Sequence, residues 1–380
     1  MRLTAHIACF LALLPALWNC GGSAGSHDGI WEGAGMEYAT LLNIDERPGY
    51  TDVKISNPWD STTLLARYIL VPGADNIPAS FPEGTVLRTP VTSALVFSNV
   101  HAALLHELGH VHAVKGVADA GYITDSTVAA SIAAGTVADC GNSTDPDLEK
   151  IAMLAPQAIL LSPYSAADAV VERLARTGAP IIMCADYLEP TPLGRAEWIR
   201  FYGRLVGEGC RADSLFDRVA EDYNHTKNLV AESGSRPSVL IDTRYGDVWY
   251  VPVAGSTTDS FIADAGAENP FSAFGTGDSM PLSVEQVLTT GANADCWLVR
   301  YYSATDMDSA TFAALGPEIL QFEAFRQGAV YGCNTSVSPY YDVVPFHPQY
   351  LLADMARLFH PELADNLPPS PYEFFKRITP

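Results

Sequence analysis

Positive charge is scarce in this sequence: 22 Lys and Arg stand against 44 Asp and Glu, for a formal net charge of -22 over 380 residues. Nucleic acid and polybasic membrane contacts both need clustered Lys and Arg, and no cluster exists, so neither partner is expected. Charged residues make up only 17% of the chain and hydrophobic residues 48%, a balance that fills large cores and excludes a disordered polymer. Cysteine is also sparse. Apart from Cys9 and Cys20 there are Cys140, Cys184, Cys210, Cys296 and Cys333, an odd set that cannot form a fully paired framework, although one disulfide stays open. The chain has no CxxC pair and no Walker A loop, and Gly275 and Gly277 lack the strand and third glycine of a dinucleotide fingerprint. Long apolar runs are missing too: Ile7 to Leu17 is too short to span a bilayer.

What is present begins at the N-terminus. Arg2 supplies a basic start, Ile7 to Leu17 an apolar core, and Cys20 follows at a processing site. The order Leu17-Trp18-Asn19-Cys20 resembles a loose bacterial lipoprotein box, which implies a signal peptide over residues 1–20 and lipidation of Cys20. Secretion with cleavage elsewhere is the alternative. Residues 21–43, opening on the Gly- and Ser-rich Gly21 to Gly29, suit a tether.

Residues 44–87 mix β-branched stretches with Pro48, Pro58, Pro72, Pro78 and Pro82, and predict an irregular β extension. Over 88–208 short apolar runs alternate with helical patterns, as a parallel sheet covered by helices requires. The rhythm breaks at 209–236, where Leu215, Phe216, Val219, Ala220, Tyr223 and Val230 recur at helical spacing. A helix of that length reaches roughly 30 Å, enough to join two lobes. A second α/β series fills 237–380 and includes a C-terminal helix over Pro348 to Phe359. The expected class is therefore α/β.

One motif invites a different reading. His106-Glu107-Leu108-Gly109-His110 matches HExxH, in which two histidines on one helix face bind zinc and the glutamate activates water. That chemistry needs an unbroken helix through both histidines. Gly109 instead marks a helix end, and His110 to Val117 alternates like a strand. A zinc peptidase is the rival function from another class.

The ordered segments resemble the cobalamin and ferric-siderophore class of ABC-importer binding proteins. In the first half the resemblance rests on Ser98 to Gly109 with Lys115-Gly116-Val117, on Asp147 to Ile151 with Leu154-Ala155-Pro156 and Ile159 to Leu161, and on Thr191 to Ile199. In the second it rests on Ile262 to Ala267, Leu282 to Leu288, Ala294-Asp295 and Pro348 to Asp354. Gln157 departs from the usual aspartate at its position, and the β extension is an addition. The resemblance implies two Rossmann-like lobes with parallel sheets joined by one long backbone helix. It also implies a monomeric receptor without catalysis, lipid-anchored in the periplasm of a Gram-negative cell, with no intrinsic cofactor. Its ligand would be a metal chelate (ferric siderophore, heme or corrinoid), and its partners an ABC permease and the ATPase behind it. Asp168 and Glu285 stand where such proteins carry the carboxylates that dock on the permease.

Ligands of open α/β sheets sit beyond the carboxyl ends of the strands. Those positions offer Ser98, Asn99, Tyr122, Asn142, Ser162, Tyr164 and Tyr187 in the first lobe, and Arg244, Tyr245, Trp249, Arg300, Tyr301, Tyr302, Asn334, Tyr340 and Tyr341 in the second. Tyr and Trp give flat contact to a large chelate and Arg pairs with carboxylates. A bare-metal receptor would need three or four converging His, Asp or Glu. With His101 the one histidine nearby, no metal ligands are assigned and a chelate is favoured over a free ion. Heme would want an axial His or Tyr.

Overall fold

In a computed structural model of the protein, residues 36–73 and 80–379 are described. The signal peptide, Cys20 and most of the tether lie outside them.

The N-terminal extension is a regular four-stranded sheet, built from β1 (Leu42–Arg47), β2 (Tyr50–Ser56), β3 (Leu64–Pro72) and β4 (Thr85–Thr89) in that spatial order. Two of the prolines taken as interruptions sit where they cost nothing: Pro48 with Gly49 (φ 85°) forms the two-residue turn between β1 and β2, and Pro72 ends β3. The sheet is not a separate body, because Val53, Ile55, Tyr68, Leu70 and Leu87 share one core with the following lobe.

The first lobe runs β5 (Ala94–Val96), α1 (Asn99–Glu107), β6 (Val114–Val117), α2 (Ser126–Ala133), β7 (Ala138–Asp139), the small hairpin β8 (Gly141–Asn142) and β9 (Asp145–Pro146), and α3 (Leu148–Leu154). It continues through β10 (Ala158–Leu161), α4 (Ala169–Ala175), β11 (Ile181–Met183), α5 (Pro192–Glu197) and α6 (Ile199–Leu205). Five strands form a parallel sheet in the order β11-β10-β5-β6-β7. The Tyr68 hydroxyl stitches the extension to its edge, donating to Ile181 O (2.9 Å) and accepting from Met183 N (2.8 Å). Gln157 accepts the backbone N–H groups of Thr92 (2.7 Å) and Ser93 (3.1 Å) through its amide oxygen.

α7 (Gly209–Ala231), 23 residues long, buries Phe216, Val219, Tyr223 and Val230 and packs on α6. The second lobe follows with β12 (Val239–Ile241), β13 (Trp249–Pro252), α8 (Thr257–Asp264), β14 (Ser279–Leu282), α9 (Val284–Gly291), β15 (Cys296–Tyr301), α10 (Ser309–Ala313) and α11 (Glu323–Arg326). It ends on β16 (Val330–Asn334), α12 (Tyr340–Val343), α13 (Pro348–Phe359), which packs against α7, and β17 (Lys376–Arg377). β12, β15 and β16 are parallel, and β17 closes the edge antiparallel to β16. The architecture is the expected α/β one, with parallel sheets and a long helix. The cysteines from Cys140 onward are free, and of these only Cys210 is exposed.

Two local expectations need correction. Residues 111–113 form a 3-10 turn, and the strand starts only at Val114. Residues 36–41 do not hang as tether. The buried carboxylate of Glu197 accepts the N–H groups of Glu37, Tyr38 and Ala39 at 2.8–3.0 Å, and that of Glu189 accepts those of Thr40 (2.8 Å) and Leu41 (2.9 Å). Two carboxylates 148 to 160 residues away in sequence thus fix a segment whose composition says nothing of it.

Candidate ligand-binding site

The carboxyl ends of the strands in the two sheets come together. Asn99, which opens α1 just after β5, donates from its amide to Asp342 on α12, just after β16, at 2.5 Å. The Thr124 hydroxyl, in the loop after β6, donates to the other Asp342 oxygen at 2.5 Å. Further along α1, Glu107 accepts from or pairs with His347 at 2.8 Å. Loops that leave the carboxyl edge of one sheet therefore touch those that leave the carboxyl edge of the other.

Five tyrosines are exposed beyond these strand ends, four in loops and one on α12: Tyr122 (78%) after β6, Tyr164 (79%) after β10, Tyr245 (85%) after β12, Tyr302 (81%) after β15 and, on α12, Tyr341 (58%) after β16. A tyrosine this exposed has given up the burial that normally repays its ring, worth about 1.5–3 kcal/mol for a large side chain. The sequence placed all five at strand ends. Ser98 stands half-exposed at the start of α1 without a side-chain cap bond, and exposed Asn142 closes a turn by accepting the N–H of Thr144 at 2.9 Å.

The arginines are present but engaged. Arg300 receives Asp242 on its backbone N–H (3.0 Å) and guanidinium (3.2 Å from Nε), and its guanidinium lies 5.7 Å from the Tyr340 ring centre. Burial alone would lower its pKa, but Asp242 outweighs that and raises it. Arg244 spends its donors on Glu318 (2.6 Å), Gly246 O (2.6 Å) and Leu315 O (3.1 Å), holding neighbouring loops together. Tyr340 packs against Phe374 and Phe375, and burial pushes its pKa up to about 12 against the pull of Arg300. The Tyr301 hydroxyl accepts the Met307 N–H at 2.9 Å.

Trp249 does not belong to the site. It is fully buried on β13, its indole N–H donates to Ile241 O (3.1 Å), and its ring stacks on Trp297 at 5.7 Å. His101 is likewise turned into the core, against Asp186 and Tyr202 at 3.2 Å each. Asp242, Asp342 and Thr124 were not among the expected residues. Asp242 does carry a signal, ending the apolar run Val239 to Ile241. Its partner lies 58 residues on, and that pairing has no local trace.

The HExxH motif is broken by geometry. α1 stops at Glu107 and closes with a Schellman turn: Gly109 (φ 83°) donates to His106 O (2.8 Å) and His110 donates to Leu105 O (2.8 Å). His106 then meets Asp125 at 2.6 Å while His110 meets Glu208 at 3.1 Å.

A family model described as periplasmic binding protein matches residues 97–336, which is most of both lobes. The chain belongs to the periplasmic binding protein family. An uncharacterized lipoprotein of Methanocaldococcus jannaschii is 25% identical over 354 residues, covering 86% of this chain and 82% of that one. Among solved structures, the apo periplasmic heme-binding protein RhuT from Roseiflexus sp. RS-1 aligns with a TM-score of 0.53 and 20% identity, covering 70% of this chain and 99% of the other. A periplasmic heme-binding protein from Pseudomonas aeruginosa aligns with a TM-score of 0.57 and 16% identity, covering 76% and 99%. At these identities the two structures share the fold.

Proposed function

We propose that the protein is a lipid-anchored receptor, held outside the cytoplasmic membrane through Cys20, that captures a metal chelate and passes it to an ABC permease driven by its ATPase. The observation that carries this reading is the set of five exposed tyrosines beyond the strand ends of two sheets whose edges meet at Asn99 and Asp342. Flat, rigid, half-polar rings suit a large chelate that is itself partly apolar. A ferric siderophore, a heme or a corrinoid fits that description, and the iron of a heme accepts tyrosine as an axial ligand.

A free-ion receptor fits less well. Among the described residues no three His, Cys, Asp or Glu converge to hold a metal ion. For permease docking, Asp168 and Glu285 occupy comparable places: Asp168 caps α4, accepting the Val170 N–H at 2.8 Å, and Glu285 stands exposed in the first turn of α9. Native mass spectrometry of the protein purified from its host membranes tests the reading. One bound chelate and a diacyl mass on Cys20 are expected, and a chain that is unacylated and empty from chelate-replete cells would overturn it.

A further inference from the structure

The charge around the carboxyl edges has a sign that the proposed function leaves unused. Each cation reaching the first lobe's strand-end loops is met by a carboxylate: Lys150 by Asp147 (3.8 Å), Arg173 by Asp145 (2.7 Å) and Arg195 by Asp186 (3.2 Å). In the second lobe Arg244 is met by Glu318 (2.6 Å) and Arg300 by Asp242 (3.2 Å). Lys376 and Arg377, on the edge strand β17, border a hollow in which Asp306, Asp308 and Glu373 outnumber them.

The acids at the same edges are treated differently. Asp342 is held by the amide of Asn99 and the hydroxyl of Thr124, Asp306 by the amide of Asn334 (3.2 Å), and Asp119 by the Ser143 N–H (3.2 Å). These donors are neutral and leave the negative charge standing. Asp247, exposed in the loop after β12, adds another. Among the described residues at these edges carboxylates outnumber the cations left to pair with a ligand, so an anionic ligand entering here would lose its water beside uncompensated carboxylates, and like-charge juxtaposition costs several kcal/mol.

We propose that the chelate this site takes is neutral or cationic overall, and that the site discriminates against chelates bearing free carboxylates or other net negative charge. The proposal rests on the reading of the strand-end tyrosines as a chelate site. A negative rim also steers cations, so association of a cationic chelate should slow as salt is raised while that of a neutral one holds.

The test is a titration of the full-length protein, by calorimetry and stopped-flow tryptophan fluorescence, with three scaffolds each made in two charge forms. They are an iron(III) tris-hydroxamate with a pendant ammonium or its succinylated derivative, an iron porphyrin with amidated or free propionates, and a corrinoid with amide or hydrolysed carboxylate side chains. In whichever scaffold binds, the non-anionic form should be at least about tenfold tighter. Asp242→Asn, which releases Arg300, should narrow that gap. Equal or tighter binding of the anionic form by the wild type would overturn the charge assignment and leave the chelate reading intact. Binding of no scaffold in either form would overturn both.

Discussion

A tyrosine ring in water and a tryptophan ring in a core are distinguished by where the next element pairs. Trp249 lies on β13, whose ladder to β14 sets Trp249 opposite Leu282 and turns the ring inward onto Trp297 and Phe322. Trp249→Ala should therefore lower stability by about 3–5 kcal/mol in urea unfolding; a loss of ligand affinity with unchanged stability would return this residue to the site. Asp354 is a second residue whose behaviour follows from its surroundings. It is buried on α13, where it accepts the N–H groups of Phe374 and Phe375 (3.0 Å each), and burial raises its pKa to about 6. A raised carboxyl pKa means the folded state holds the proton more tightly. The associated stability is fully present below the unfolded pKa and is lost as pH climbs through about 6. Asp354→Asn should escape that loss, gaining about 2 kcal/mol on the wild type between about pH 4.5 and about pH 7.5 in denaturant titrations. A pH-independent difference would contradict it. The five tyrosines were legible because each follows an apolar strand. The pairing of Arg300 with Asp242 and of Asn99 with Asp342 was not, since both need the tertiary fold.

Elements follow the same division. α13 occupies the residues its pattern indicates, Pro348–Phe359, because Pro348 at the first turn is a local signal. β17 is two residues long and exists only through its pairing with β16, and β1 to β4 pack their inner face on a lobe that begins later in the chain. Such elements carry little periodicity of their own. The end of α1 is local again. At Gly109 φ is 83°, and an added Cβ would stand 3.1 Å from the Arg211 guanidinium. Gly109→Ala should cost roughly 1–2 kcal/mol in thermal unfolding, the strain of a side chain in the left-handed region. No loss would mean that the helix continues through His110, restoring the geometry a zinc site needs.

For the whole molecule, the receptor reading requires that ligand capture and permease docking be separable. Asp168 accepts the Tyr164 N–H at 3.0 Å, so a change there also reaches a ligand loop, whereas Glu285 stands exposed in the first turn of α9. Glu285→Lys should therefore abolish uptake in reconstituted vesicles while ligand affinity stays within about twofold, as expected of changes at independent sites. Normal transport would exclude docking through this carboxylate. Capture itself is tested most directly by removing the rings and keeping the fold. The co-purified chelate is titrated by calorimetry into the wild type and into a variant with Tyr122, Tyr164, Tyr245 and Tyr302 changed to Ser. Because these side chains are exposed, the thermal midpoint should hardly move, while loss of aromatic anchors worth about 2 kcal/mol or more should weaken binding by well over tenfold. Wild-type affinity in the folded variant would contradict capture at these strand-end loops.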